Sequence, residues 1–142
     1  MNIFLDTSCL FKLYHYENDT QKIIDTIAKN NVTIIFLSEL AKIEFTSTIW
    51  KKVRTLEFTE LRRKTIYSRF ESDFESYSFI PADKILMDSA RNLVDKYGKQ
   101  GLRTLDSIQL ATALSLKNEC ELFITTDKLL DNFFKQESLS GL

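Results

Sequence analysis

A chain of 142 residues, 44% hydrophobic and 12% aromatic, is long enough for one domain with a buried core and too short for two of ordinary size. The apolar content excludes a disordered chain, and 3 Gly and 1 Pro leave little room for long irregular segments. No apolar run is long enough to span a bilayer, and a formal net charge of −1 carries no overall electrostatic sign of a nucleic-acid partner.

A single domain over residues 1–142 is therefore expected. Asn2 supplies no positive charge ahead of Ile3-Phe4-Leu5, and Asp6 stops that apolar run at once, so a secretory signal is not expected. Cys9 and Cys120 each lie among apolar residues and read as buried, reduced thiols of a cytoplasmic protein.

Asn2-Ile3-Phe4-Leu5 reads as a buried strand, with Thr7 and Ser8 as candidate caps of a short helix to about Tyr14. Asp19 to Asn30 carries Ile23, Ile24 and Ile27 at helical spacing. Thr33 to Leu37 is β-branched and bounded, which predicts a second buried strand. Ser38 is the expected cap of a helix with Leu40, Ile43, Phe45 and Ile49 inward, ending near Arg54. Glu57 to about Ser76 predicts a charged surface helix, with Leu61, Ile66, Phe70 and Phe74 along one side.

Ser78 to Pro81 follows as a third strand, since proline ends sheet pairing. Asp83 to Tyr97 predicts a helix closed by Gly98. Thr104 opens another, with Leu105, Ile108, Ala111, Leu114 and Leu116 inward. Leu122 to Thr125 is the fourth strand, Thr126 the expected cap of a last helix to about Lys135, and the final residues could add a short edge strand. Strands alternating with helices pair in parallel through right-handed crossovers. The expected fold is α/β: a three-layer α/β/α sandwich around a mostly parallel sheet of four or five strands.

Ligands of an open parallel sheet bind beyond the carboxyl ends of its strands. Asp6 follows the first strand, and Asp127 follows the fourth. Glu44 lies about two turns into the helix after the second, and Asp106 falls in the first turn of the helix opening at Thr104. Four carboxylates at one edge suit a hard divalent cation such as Mg²⁺ or Mn²⁺, which takes oxygen ligands and serves phosphate chemistry. Each acid also has a plainer reading, Asp127 as a helix cap and Asp106 as a partner of the helix dipole. Glu44 is harder to dismiss, because Leu40, Ile43 and Phe45 around it imply a site near a buried face. His15 is the only histidine, which excludes a histidine-based nuclease.

Lys51, Lys52, Arg54, Arg62, Arg63, Lys64 and Arg69 make one basic stretch. It reads either as a nucleic-acid face or as a solvated one. Trp50, next to Ile49 on a mostly apolar helix, is read as core or dimer interface rather than as an RNA contact.

At these residues the chain resembles the PIN-domain family. Ile3-Phe4-Leu5-Asp6-Thr7-Ser8 resembles the family's opening strand and acid, and Ser38 to Phe45 its second motif, with the acid at Glu44. Leu102 to Ala113 resembles the third, with the acid at Asp106, and Phe123 to Lys128 the fourth, at Asp127. In length the chain is similar to the toxin ribonucleases of the VapC type. The resemblance implies a Mg²⁺- or Mn²⁺-dependent endoribonuclease, a homodimer, an RNA substrate and an antitoxin whose tail covers the site. It implies Asp6 and Asp106 as principal metal ligands, with Glu44 and Asp127 binding directly or through water. Thr125 and Ser8 would orient a carboxylate or water from behind. Gln109 stands where many relatives carry His, so no proton shuttle is expected there. The alternative is a module of the same fold that binds RNA or protein without cutting.

Overall fold

The computed structural model describes residues 1–141. Strand β1 (Asn2–Leu5) leads to α1 (Thr7–Lys12) and α2 (Thr20–Lys29), and β2 (Ile34–Ser38) to α3 (Leu40–Arg54) and α4 (Glu60–Ser72). After β3 (Tyr77–Ile80) come α5 (Lys84–Tyr97) and α6 (Thr104–Ser115), then β4 (Leu122–Ile124) and α7 (Lys128–Gln136). The four strands are parallel throughout, in the order β3-β2-β1-β4. The three-layer α/β reading holds, with a four-stranded sheet among the described residues. The final residues, which could have added a short edge strand, form none among the described residues; the Phe123 amide donates to the Ser140 carbonyl at 2.8 Å.

Side chains alternate across a strand, and β1 divides the core accordingly. Phe4 faces a cluster with Leu93, Tyr97, Leu110, Phe123, Phe133 and Phe134 beneath α5, α6 and α7. Ile3 and Leu5 face the other cluster, with Leu10, Phe45, Ile49 and Phe70 beneath α1, α3 and α4. Beyond Asn2 the strand is buried on both sides, as Ile3, Phe4 and Leu5 at 0% exposure show. Phe45 and Phe70 stack at 3.9 Å between ring centroids and fasten α4 onto α3. Both cysteines are buried and free; burial, the dominant cause, pushes the Cys120 thiol up to about 12, so it behaves as an apolar filler.

Several local expectations change. The N-cap of α1 is Asp6 and not Thr7 or Ser8, its carboxylate accepting from the Cys9 amide at 3.0 Å. Asp127, not Thr126, caps α7 by accepting from the Leu130 amide at 2.8 Å. In each case the residue with extended backbone just ahead of the first free N–H takes the cap. Glu39, not Ser38, is the N-cap of α3 and makes no side-chain cap bond, although Ser38 accepts from the Leu40 amide at 3.2 Å; Glu44 is the fifth residue of α3, nearer its start than two turns.

The inward face of α3 is Ala41, Phe45 and Ile49, four residues apart, so Ile43 points away and is 69% exposed. Leu105 and Leu61 are likewise exposed. The segment from Glu57 divides into α4, capped by the Thr59 hydroxyl, and a 3₁₀ turn at Phe74–Ser76. Gly98 does not close α5 in the left-handed region. It starts a 3₁₀ turn, and Gly101, with φ 94°, makes the reversal that a side chain would strain. No helix among the described residues is long and apolar enough to cross a membrane.

Candidate active site

Asp6 leaves the end of β1 at the centre of the sheet, its amide bonded to the Ile124 carbonyl of β4 at 3.1 Å. The side chain is buried. Burial drives its carboxyl above the usual carboxylate range, and the Cys9 amide, the Ser8 and Thr125 hydroxyls and the Cys9 thiol only partly offset that. Ser8 Oγ lies 2.7 and 2.9 Å from the two carboxylate oxygens, and Thr125 Oγ1 donates to Oδ2 at 2.8 Å. Thr125 also accepts from the Asp127 amide at 3.0 Å, so one hydroxyl joins two of the four acids.

Glu44 enters from α3 and is half-buried. Its Oε1 accepts from the Thr7 hydroxyl at 2.7 Å and the Gln109 amide at 2.6 Å. Burial, joined by the charges of Asp6 and Asp106, raises its pKa despite those two donors. Asp106, in the first turn of α6, is raised first by burial and then by the charge of Asp127. Asp127 itself is exposed. The four acids read from the sequence thus form one electrostatic group: Glu44 feels Asp6 and Asp106, and Asp106 feels Asp127.

Among the described residues no three His, Cys, Asp or Glu side chains close into a ready ligand cage. The donor chemistry fits a hard divalent cation: carboxylate and hydroxyl oxygens only. Burial, joined by like charge at Glu44 and Asp106, holds three of the four acids above their ordinary range, and a positive charge among them would reverse that cost. Asp6 and Asp127 have a second duty as helix caps, so the plainer reading of Asp127 is true without displacing the other.

Two residues have a role that the sequence reading did not assign them. Thr7, beside Asp6, and Gln109, three residues after Asp106 and hence on the same helix face, are both buried and both bonded to Glu44. The resemblance marked Gln109 only as a departure from His; its helical spacing from Asp106 was the sign that it faces the site. His15, by contrast, is packed against Phe58 at 4.8 Å between ring centroids and has no contact with the acids.

A groove of about 400 Å³ opens beside the acids, lined at one end by Thr7, Ser8, Glu44 and Thr126, and by Lys12, Lys51 and Lys52 with Glu17 and Glu57. Only part of the basic stretch is electrostatically free. Lys52 is paired with Glu17 at 3.1 Å and Glu57 at 2.9 Å, and Lys12 with Glu17 at 3.2 Å. Arg63 is paired with Glu60 at 2.9 Å and lies 4.6 Å over the Trp50 ring. Trp50 is 40% exposed and so is not a core residue, because it falls one position off the Phe45–Ile49 face of α3.

No protein of curated function matches the sequence. Several solved structures share the fold over nearly the full length. A FitAcB structure from Neisseria gonorrhoeae is similar at TM-score 0.73 with 15% identity, covering 99% of this chain and 96% of its own. VapBC2 of Rickettsia felis, bound to a promoter DNA fragment, gives 0.68 with 13% identity over 100% and 98%. VapC20 of Mycobacterium tuberculosis, described as a toxin cleaving the sarcin–ricin loop, gives 0.67 with 11% identity over 92% and 93%. The sequence itself carries the family's pattern across residues 3–134, and the chain belongs to the PIN domain family.

Proposed function

We propose that this chain is a metal-dependent endoribonuclease, the toxin of a toxin–antitoxin pair, with Asp6, Glu44, Asp106 and Asp127 as the residues that hold Mg²⁺ or Mn²⁺. The observation that carries the reading is the gathering of four acids at one sheet edge: burial raises Asp6, Glu44 and Asp106, and like charge adds to it at Glu44, from Asp6 and Asp106, and at Asp106, from Asp127. So many carboxylates in a half-buried space are costly unless a cation offsets them. When bound, a divalent cation supplies the acidity that makes water a nucleophile near neutral pH and offsets negative charge on the phosphate.

The chain's own residues do the rest. Ser8 and Thr125 hold the Asp6 carboxylate in one orientation, and Thr7 and Gln109 do the same for Glu44. Such preorganised donors cost no reorganisation during the reaction. Lys51, which lines the groove, contacts the RNA backbone, where a phosphate contact gives position without sequence preference. The relatives solved as toxin–antitoxin assemblies support an antitoxin partner, and one described as cutting the sarcin–ricin loop supports RNA as substrate. The partner's tail places a basic side chain among the acids, and the working form is a cytoplasmic homodimer.

The test is cleavage of a mixed RNA pool by the purified protein with Mn²⁺, with EDTA, and with Asp106→Asn as control. Attack by water leaves a 5′-phosphate and a 3′-hydroxyl. A 2′,3′-cyclic phosphate, or undiminished cutting in EDTA, overturns the reading. Intact RNA with Mn²⁺ present, together with tight RNA binding, favours the non-catalytic module instead.

A further inference from the structure

Gln109 is 3% exposed in the middle of α6, where Ile108, Leu110, Ala111 and Ala113 are buried with it. Its Nε2 donates to Thr7 Oγ1 at 2.9 Å and to Glu44 Oε1 at 2.6 Å, and the Thr7 hydroxyl donates to the same Glu44 oxygen at 2.7 Å. Three side chains from α1, α3 and α6 close a triangle that bridges the two sides of the sheet. An ionised carboxylate can only accept, so the amide nitrogen must face Glu44. The Gln109 carbonyl oxygen is then left buried with no donor.

A buried acceptor without a partner costs about 1–3 kcal/mol. An apolar side chain of the same shape would serve the fold at less expense, so the carboxamide is explained by its two N–H groups and not by packing. The Gln109 amide and the Thr7 hydroxyl converge on one oxygen of Glu44, Oε1. Its Oε2 accepts no hydrogen bond among the described residues. We infer that Gln109 is a positioning residue, which with Thr7 tethers Glu44 by Oε1 so that Oε2 is the atom presented to a divalent cation. The inference rests on the proposed metal site.

The experiment is calorimetric titration of Mn²⁺ into the folded protein, with thermal melts in EDTA alongside, for the parent, Gln109→Met and Gln109→His. Partners behind a metal ligand are worth about 10–100-fold in affinity. Gln109→Met, which fills the space without donors, should bind Mn²⁺ at least tenfold more weakly while melting at or above the parent temperature. Gln109→His, whose Nε2–H stands about where the carboxamide nitrogen does, should recover most of the affinity. Binding by Gln109→Met within twofold of the parent overturns the assignment of Gln109 alone. Loss in Gln109→Met with no recovery in Gln109→His overturns it as well, by assigning the loss to packing. A parent that takes up no Mn²⁺ overturns the metal site and this inference together.

Discussion

The Thr125 hydroxyl donates to Asp6 Oδ2 across 2.8 Å, tying the segment after β4 to the carboxylate at the end of β1. Two neighbouring strands of the sheet are thereby fixed to each other at the edge where the acids gather.

Thr125→Val should expose what that bond is worth. A hydrogen bond to a charged group contributes about 1.5–3 kcal/mol, and Asp6 is buried. Burial already raises its pKa, with Thr125 among the groups that lower it; without the hydroxyl it rises further. A carboxylate raised in the folded state favours folding below its unfolded value near ~4 and loses that advantage as pH climbs through the folded value. The deficit of Thr125→Val should therefore be largest near pH 7 and shrink toward pH ~3. Urea unfolding in EDTA at several pH values measures it, and an equal deficit at all pH values would contradict the account.

Asp106→Asn separates the acid's chemistry from the fold. Asp106 caps nothing, and burial followed by the Asp127 charge raises it. In EDTA the variant should melt at or above the parent temperature, and it should no longer cut RNA. Mn²⁺ at ~10 times its Kd should stabilise the parent by about 1.4 kcal/mol and the variant by much less. Clear destabilisation in EDTA with an equal metal response would make Asp106 a dipole partner only.

How far the sequence reveals the residues of the site differs, and the reason is physical. Asp6 and Thr125 each adjoin a short apolar run, Ile3–Leu5 and Leu122–Ile124, so period and boundary locate them directly. Asp106 follows from the start of a helix. Thr7 and Gln109 could not be paired in advance, because the bond between them spans 102 residues of chain, and only the packing of α6 on the sheet brings them together. The cap assignments missed by one because Asp, Ser and Thr are all good caps, and backbone direction decides among them. Ile43 and Leu105 misled for another reason: isolated apolar side chains are common on surfaces, while the face of a helix is set by its whole period.

Glu137 ties the end of α7 to α5. Burial raises its pKa, but the Lys96 ammonium and the Tyr97 hydroxyl, at 2.7 and 2.5 Å, together outweigh it and leave the carboxyl below its ordinary range. A depressed carboxylate stabilises above its unfolded pKa and loses that contribution as pH falls through the folded one. Glu137→Gln should cost about 1 kcal/mol at pH 7 and nothing measurable at pH ~2.5. Denaturation curves at the two pH values check both halves.

Lys51 and Lys52 are adjacent but differently engaged. Lys52 lies in ion pairs with Glu17 and Glu57, whereas Lys51 lines the groove exposed. Lys51→Ala, in an Asp106→Asn background, should weaken RNA binding with unchanged melting and lower the salt slope of log K by about 1. Lys52→Ala should chiefly lower stability. Anisotropy titrations at three salt concentrations, beside thermal melts, distinguish the two lysines.

Asp6 and Asp127 serve as N-caps while Glu44 and Asp106 do not, and this sorts the alleles that a genetic selection would recover. If survival requires silencing the activity, substitutions at Asp6 should often act by depleting the protein, since a lost cap costs about 0.5–2 kcal/mol and a small domain has little stability in reserve. Substitutions at Glu44 and Asp106 should instead yield abundant, folded, silent protein. Such a protein still presents its surface to any partner, and in a cell that also carries the active form it would compete for that partner and behave as a dominant allele, whereas the Asp6 alleles would be recessive.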